Sequence, residues 1–115
     1  MSTTPHVTLL PESGPYDDRG RLVHEDDAAA QLALSLVGLE ATLAEAGHPI
    51  ADVRRILIRT VDVRVLDDVV DVLSERLEQL GAHPEIEVVS VNDLGVPGAL
   101  VTLQATLTTS RRNAE

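Results

Sequence analysis

The residues able to do chemistry are few and scattered. Four histidines, His6, His24, His48 and His83, stand singly. None shares the HxH, HxxxH or HExxH spacing that brings two imidazoles onto one metal ion, so each reads as a solvated loop or edge residue. Asp17-Asp18, Asp26-Asp27 and Asp67-Asp68 have the make-up of acid–base couples. The second and third stand just ahead of apolar-periodic segments, where an aspartate oxygen serves as a helix cap. Asp17-Asp18 lies near Gly20 in a turn-rich loop, with too few further oxygen ligands for a hard cation. Ser13-Gly14 lacks the GxSxG context of a nucleophile elbow. There is no Lys and no Cys. Schiff-base and P-loop lysines, thiolate nucleophiles, disulfides and Cys-bound metals are thereby excluded. Tyr16 is the only phenol and can act as a donor or weak acid. No metal and no cofactor is expected.

These residues must be positioned by a short list of elements. Residues 6–10 form a β-like run stopped by Pro11, and 12–20 are dense in turn formers. Residues 21–24 add a brief extended piece. Leu32, Leu36, Leu39 and Leu43 recur at helical spacing, widened by Ala33 and Val37. With Asp26 or Asp27 as cap, Gly47 at the end and Pro49 beyond it, the spacing predicts a helix over 26–46. Residues 54–65 are β-branched and read as a strand with a partly polar face. Asp67 or Asp68 then caps a second helix with Val69, Val72, Leu73, Leu77 and Leu80 on its apolar face, ended by Gly81. Two more strands, 86–91 and 99–108, flank the turn 92–98. The order β-α-β-α-β-β predicts an α+β domain with two helices on one face of a mixed sheet. In the last strand Val101, Leu103, Ala105 and Leu107 alternate with Thr102, Gln104 and Thr106. One sheet face is therefore apolar and the other polar but uncharged, as suits an interface between subunits.

Composition limits the partners. The chain has 115 residues, enough for one domain. Residues 1–12 form a lead-in with an edge strand, 13–108 the domain and 109–115 a polar tail. Nineteen acidic residues against nine arginines give a net charge of −10. That balance disfavours nucleic acid and anionic membranes, which bind through neutralised phosphates, and a single aromatic residue leaves no stacking platform for bases. Residues 1–12 lack the features of a secretion signal, and no apolar stretch is read as reaching the ~18 residues of a membrane span. The expectation is a cytoplasmic, self-associating protein.

Several diffuse motifs, in consistent order, resemble the RidA (YjgF, or L-PSP endoribonuclease) family. Gln31 through Leu39-Glu40-Ala41-Thr42-Leu43-Ala44-Glu45-Ala46-Gly47 is similar to its first helix. Ala51-Asp52-Val53-Arg54 to Val63, followed by Asp67-Asp68, is similar to its next strand and second helix. The most specific likeness is Leu94-Gly95-Val96-Pro97-Gly98-Ala99-Leu100-Val101 to the closing L-P-x-x-x-A-L-V-E-I-E-A. Ser13-Gly14, Tyr16-Asp17 and Gly20-Arg21-Leu22-Val23 are similar to a S-G-Q…D…G-x-L-V loop. The resemblance spans about residues 13–107.

It implies a chorismate-mutase-like α+β fold and a homotrimer with ligand clefts between subunits, many members hydrolysing reactive enamines and imines. The family's carboxylate-gripping Arg, in P-x-R-[ST], falls on Ile86 of Pro84-Glu85-Ile86-Glu87. Its last-strand Glu falls on Thr102, and its second-helix Asn falls near Leu73. An isoleucine cannot bind a carboxylate and a threonine cannot act as a carboxylate base, so the standard Arg-dependent deaminase site is not carried over. Less chain precedes the Ser-Gly than in the family, so the first edge strand is expected to be shortened or absent.

Alternation along the strands places Ile86, Val88 and Ser90 on the cleft side, beside Thr102 and Gln104. Ser13, Tyr16 and Arg59 or Arg64 approach from the loop and the adjacent strand. Tyr16, Gln104 and Thr102 are the candidate catalytic residues; Ser13, Ile86, Val88, Ser90 and Arg59 are the candidate ligand-binding ones. Glu87 points away unless the register shifts by one, in which case it becomes the best carboxylate candidate. The expected ligand is a small reactive intermediate, an imine, enamine or polyketide-like compound, with a hydrophobic or uncharged character. The alternative is a non-catalytic binding or scaffold protein that kept the trimer and lost the site.

Overall fold

A computed structural model of the chain describes residues 4–67 and 69–111. Six elements carry the fold: β1 (Thr4–Leu9), α1 (Ala28–Ala46), β2 (Val53–Thr60), α2 (Val69–Gln79), β3 (Glu85–Ser90) and β4 (Val101–Arg111). The predicted order β-α-β-α-β-β holds. The four strands form one mixed sheet in the order β1-β4-β2-β3, with β2 and β3 parallel and the other pairs antiparallel. The parallel pair follows from the crossover through α2.

Helix α1 begins where Asp27 accepts a hydrogen bond from the Ala30 N–H at 3.0 Å, the predicted cap. It ends at Gly47, whose φ of 79° places it in the left-handed region; the N–H groups of Gly47 and His48 close onto Ala44 and Leu43. Between these ends Leu32, Leu36, Leu39 and Leu43 are buried among Ile56, Ile58, Leu103 and Leu107. With 19 residues and a mean hydropathy of 1.2, α1 is long and apolar enough to cross a membrane by length and composition, contrary to the sequence expectation. Four of its leucines form core against the sheet, which accounts for that hydropathy.

Three boundaries differ from the prediction for local reasons. The strand expected to reach residue 65 stops at Thr60. There Thr60 Oγ1 donates to the Leu100 carbonyl, and Asp62 accepts from the Arg64 N–H to start a 3₁₀ turn over Val63–Leu66. Residues 21–24 contribute only an isolated bridge between Tyr16 and Leu22. The edge strand expected to be shortened or absent is present: β1 pairs with β4 over six positions, Thr4 with Arg111 through Leu9 with Thr106. Pairing with β1 carries β4 past residue 108, into the expected tail. Residues 1–3 and 112–115, and Asp68 as a proposed cap of α2, lie outside the described residues.

Register divides the sheet into two faces. Ile56, Ile58 and Thr60 of β2 and Val101, Leu103, Ala105 and Leu107 of β4 are buried toward the helices. Arg55, Leu57 and Arg59 share the opposite face with Thr106, Gln104 and Thr102. Among the described residues no helix covers that second face, on which Leu9 and Val7 are 61% and 69% exposed.

Candidate functional site

The second face acquires its chemistry from the segment after β1. Leu10 N–H donates to the Ala105 carbonyl, and Ser13 exchanges both backbone hydrogen bonds with Leu103. Ser13 is thus paired with Leu103 and turned toward α1, while Glu12 projects to the other side. There Glu12 Oε2 accepts a 2.6 Å hydrogen bond from Thr102 Oγ1 and a 3.0 Å one from Arg59 Nη1. The same Arg59 nitrogen donates to Gln104 Oε1 at 2.9 Å, and Gln104 Nε2 donates to the Leu10 carbonyl at 2.9 Å. Thr102 is 1% exposed. The face therefore carries a connected network of Glu12, Arg59, Thr102 and Gln104, each member oriented by another.

Tyr16 follows Glu12 by four residues, and the Glu12 carboxylate acts on its phenol. Its ring packs over Gly14, where an added Cβ would strike the ring carbons. Partial burial, and secondarily the Glu12 carboxylate, push the phenol above its ordinary range. Tyr16 is consequently a protonated donor at neutral pH, and its hydroxyl has no hydrogen-bond partner among the described residues.

Four expected site residues are elsewhere. Ile86, Val88 and Ser90 pair with Ile56, Ile58 and Thr60 in the parallel register. By register they share the face of Ile56 and Ile58, where Ile86 packs against the core while Val88, 40% exposed, and Ser90 stay exposed at the sheet edge. The observed register differs by one residue from the predicted alternation, so Glu85, Glu87 and Val89 stand on the open face instead. Glu87 Oε1 lies 3.5 Å from Arg55 Nη1, and Glu85 Oε2 lies 3.3 Å from Arg55 Nη2. The Ser13 hydroxyl donates to the Ser35 carbonyl at 2.6 Å inside the fold and is unavailable to a ligand. Arg64 is also displaced: it pairs with Asp62 at 2.9 Å in the 3₁₀ turn, and its side chain is exposed.

Glu12 is the member of this network that the sequence reading did not single out. It precedes Ser13-Gly14 in what reads as a plain turn, and only the pairing of that turn with β4 brings it over Thr102. Gln31, read only as part of a helix motif, is fully buried; it accepts from the Leu100 N–H at 2.7 Å and donates to the His24 and Gly98 carbonyls at 3.1 Å. It fixes the loop that leads into β4. Among the described residues no cluster of three His, Cys, Asp or Glu side chains could hold a metal ion.

A second concavity, about 270 Å³, lies between the helices away from this face, lined by Leu32, Leu36, Val37, Val69, Val72 and Leu73 among others. It is mainly apolar, with Glu40 and Arg76 also in its lining.

No family model matches the chain, and no curated protein matches it. Solved structures do. The Mycobacterium tuberculosis protein Rv2704, described as a member of the YjgF/YER057c/UK114 family, is 26% identical, with a TM-score of 0.72 over 90% of this chain and 79% of that one. The Escherichia coli YjgF gene product is 20% identical, with a TM-score of 0.76 over 92% of this chain and 81% of that one. Escherichia coli TdcF, solved with bound serine, is 19% identical, with a TM-score of 0.77 over 90% and 81% of the two chains. These likenesses show the fold, which is that of the YjgF/RidA proteins.

Proposed function

We propose that this chain of RidA-like fold is a cytoplasmic homotrimer that binds a small reactive metabolic or biosynthetic intermediate, an imine, enamine or polyketide-like compound, and acts on it in clefts between subunits. The observation that carries this reading is the Glu12–Arg59–Thr102–Gln104 network, placed on a sheet face that no helix among the described residues covers. A polar network with 2.6–3.0 Å geometry on a face that also bears exposed Val7 and Leu9 suits a surface closed by another copy. The bound serine of TdcF supports a small-molecule site on this fold.

The residues divide the work by their geometry. Tyr16 holds a proton through neutral pH and can deliver it, as a weak acid, to a basic nitrogen or enolate oxygen. Thr102 Oγ1 donates to Glu12 and Gln104 Oε1 accepts from Arg59, which suits the two side chains to holding Glu12 and Arg59 in place. The remaining guanidinium nitrogens of Arg59 have no acceptor among the described residues, which suits them to meeting a ligand.

Crystals soaked with an uncharged imine analogue test the reading. Occupancy between chains in contact with Tyr16 or Gln104 supports it, and an analogue bound only elsewhere overturns it. In an ammonia-release assay with enamine generated from threonine or serine, turnover above buffer is not expected. A structure in which the network contacts no second copy would favour the scaffold alternative.

A further inference from the structure

The charges on the open face are disposed in a way that constrains the ligand. Arg59 uses one nitrogen, Nη1, for both Glu12 at 3.0 Å and Gln104 at 2.9 Å. Its Nε and Nη2, the planar edge that fits a carboxylate with two parallel hydrogen bonds, donate to nothing among the described residues. The side chain is 32% exposed. Yet the guanidinium is already neutralised. Thr102 Oγ1 grips the same Glu12 oxygen at 2.6 Å and holds the carboxylate against Arg59 from a second side. Along the same face Arg55 is paired with Glu85 and Glu87. Arg54 lies beside Val7, Arg55, Glu85 and Thr106 at the far end of the face, so the balance that matters to a ligand is the local one at Arg59, where Glu12 meets the guanidinium. An incoming acid group meets a guanidinium whose charge is already balanced by Glu12.

We infer that Glu12 is a specificity-determining residue that occupies the charge of Arg59, so that the cleft admits uncharged or cationic ligands and rejects carboxylates. This rests on the open face being the ligand site, as proposed above. The device is repulsive rather than attractive, a way of discriminating between ligands of similar shape. An imine or iminium lacking an acid group, or a neutral ketone, enters without displacing Glu12. A 2-oxo acid must compete with it. Glu12 is a positioning residue: it acts through Arg59 and need not touch the ligand.

The test uses 2-oxobutyrate and its uncharged methyl ester as probes, with affinities read from amide shifts on β2 and β4. In the wild-type protein the ester binds more tightly than the acid. In Glu12→Gln the guanidinium is released, and the ratio of acid to ester affinity rises about tenfold, the scale of one charge-assisted hydrogen bond gained. In Glu12→Gln/Arg59→Gln that rise disappears, a result no loss of structure at residue 12 alone would produce. Wild-type protein that prefers the acid overturns the inference, as does a Glu12→Gln ratio equal to the wild-type one. Light scattering on the same samples separates the two levels. A single-chain particle removes the cleft itself, whereas a trimer with an unchanged ratio removes only the role of Glu12.

Discussion

Glu12 and Arg59, 47 residues apart in the chain, meet at 3.0 Å on the uncovered face of the sheet. The arginine lies on β2 and the glutamate on the segment that follows β1, so the contact exists only because both flank β4. Each side chain is partly exposed, and the pair itself contributes on the order of 0.5 kcal/mol to stability. In the function proposed above its weight lies in the charge that a ligand would meet.

Thr102→Val removes the hydroxyl that holds Glu12 while keeping the β-branched shape of a buried strand residue. Because Glu12 is partly exposed and water can replace the lost donor, a loss of about 1 kcal/mol is expected in urea denaturation. A loss no larger than that of an exposed control substitution would show that the 2.6 Å contact does not persist in solution.

Gln31→Leu tests the anchor behind the site. The substitution leaves the Leu100 N–H and two loop carbonyls without their partner. About 2–4 kcal/mol of stability should be lost, with amide exchange accelerating in the loop before β4. Unaltered stability would mean that residues 24 and 98 are not tied to α1.

Gly38→Ala should run against helix propensity. Alanine normally stabilises a helix interior by about 1 kcal/mol over glycine, but a Cβ here meets the Ser13 hydroxyl bound to Ser35. The single variant is expected to be less stable than wild type, and Ser13→Ala/Gly38→Ala to recover the difference. A thermodynamic cycle without coupling between the two positions would contradict the packing.

Tyr16 offers a clean optical titration, since the chain has one tyrosine and no tryptophan. Burial first, and Glu12 second, hold the phenol above the ordinary value of about 10. A raised folded-state value means that the associated stability is complete below the unfolded value and is lost as pH rises through the folded one. Phenolate absorbance should therefore appear late, and Glu12→Gln should bring it partly back. A midpoint at the free-tyrosine value would contradict the environment described for the ring.

Most of the fold was legible because its signals are local. Asp27 caps α1, Gly47 ends it, and the leucines between them mark its buried face, all within a few residues of one another. The alternation of β4 correctly separated Thr102 and Gln104 from the core positions. Two features were not legible. The register of β3 against β2 is set by the crossover through α2, and a shift of one residue reverses every side chain; this moved Ile86, Val88 and Ser90 to the helix side and Glu87 to the open one. The place of Glu12 depends on a backbone pairing between Ser13 and Leu103, 90 residues apart, and nothing around Glu12 in the chain marks that pairing.

The solution mass of the purified protein, measured by light scattering across micromolar concentrations, bears most directly on whether the uncovered face is a cleft. A particle of three 12.3 kDa chains is predicted, with the network of Glu12, Arg59, Thr102 and Gln104 at the junction of two copies. A particle of one chain at every concentration would contradict it, because that face would then lie open to water with no second wall to hold a ligand.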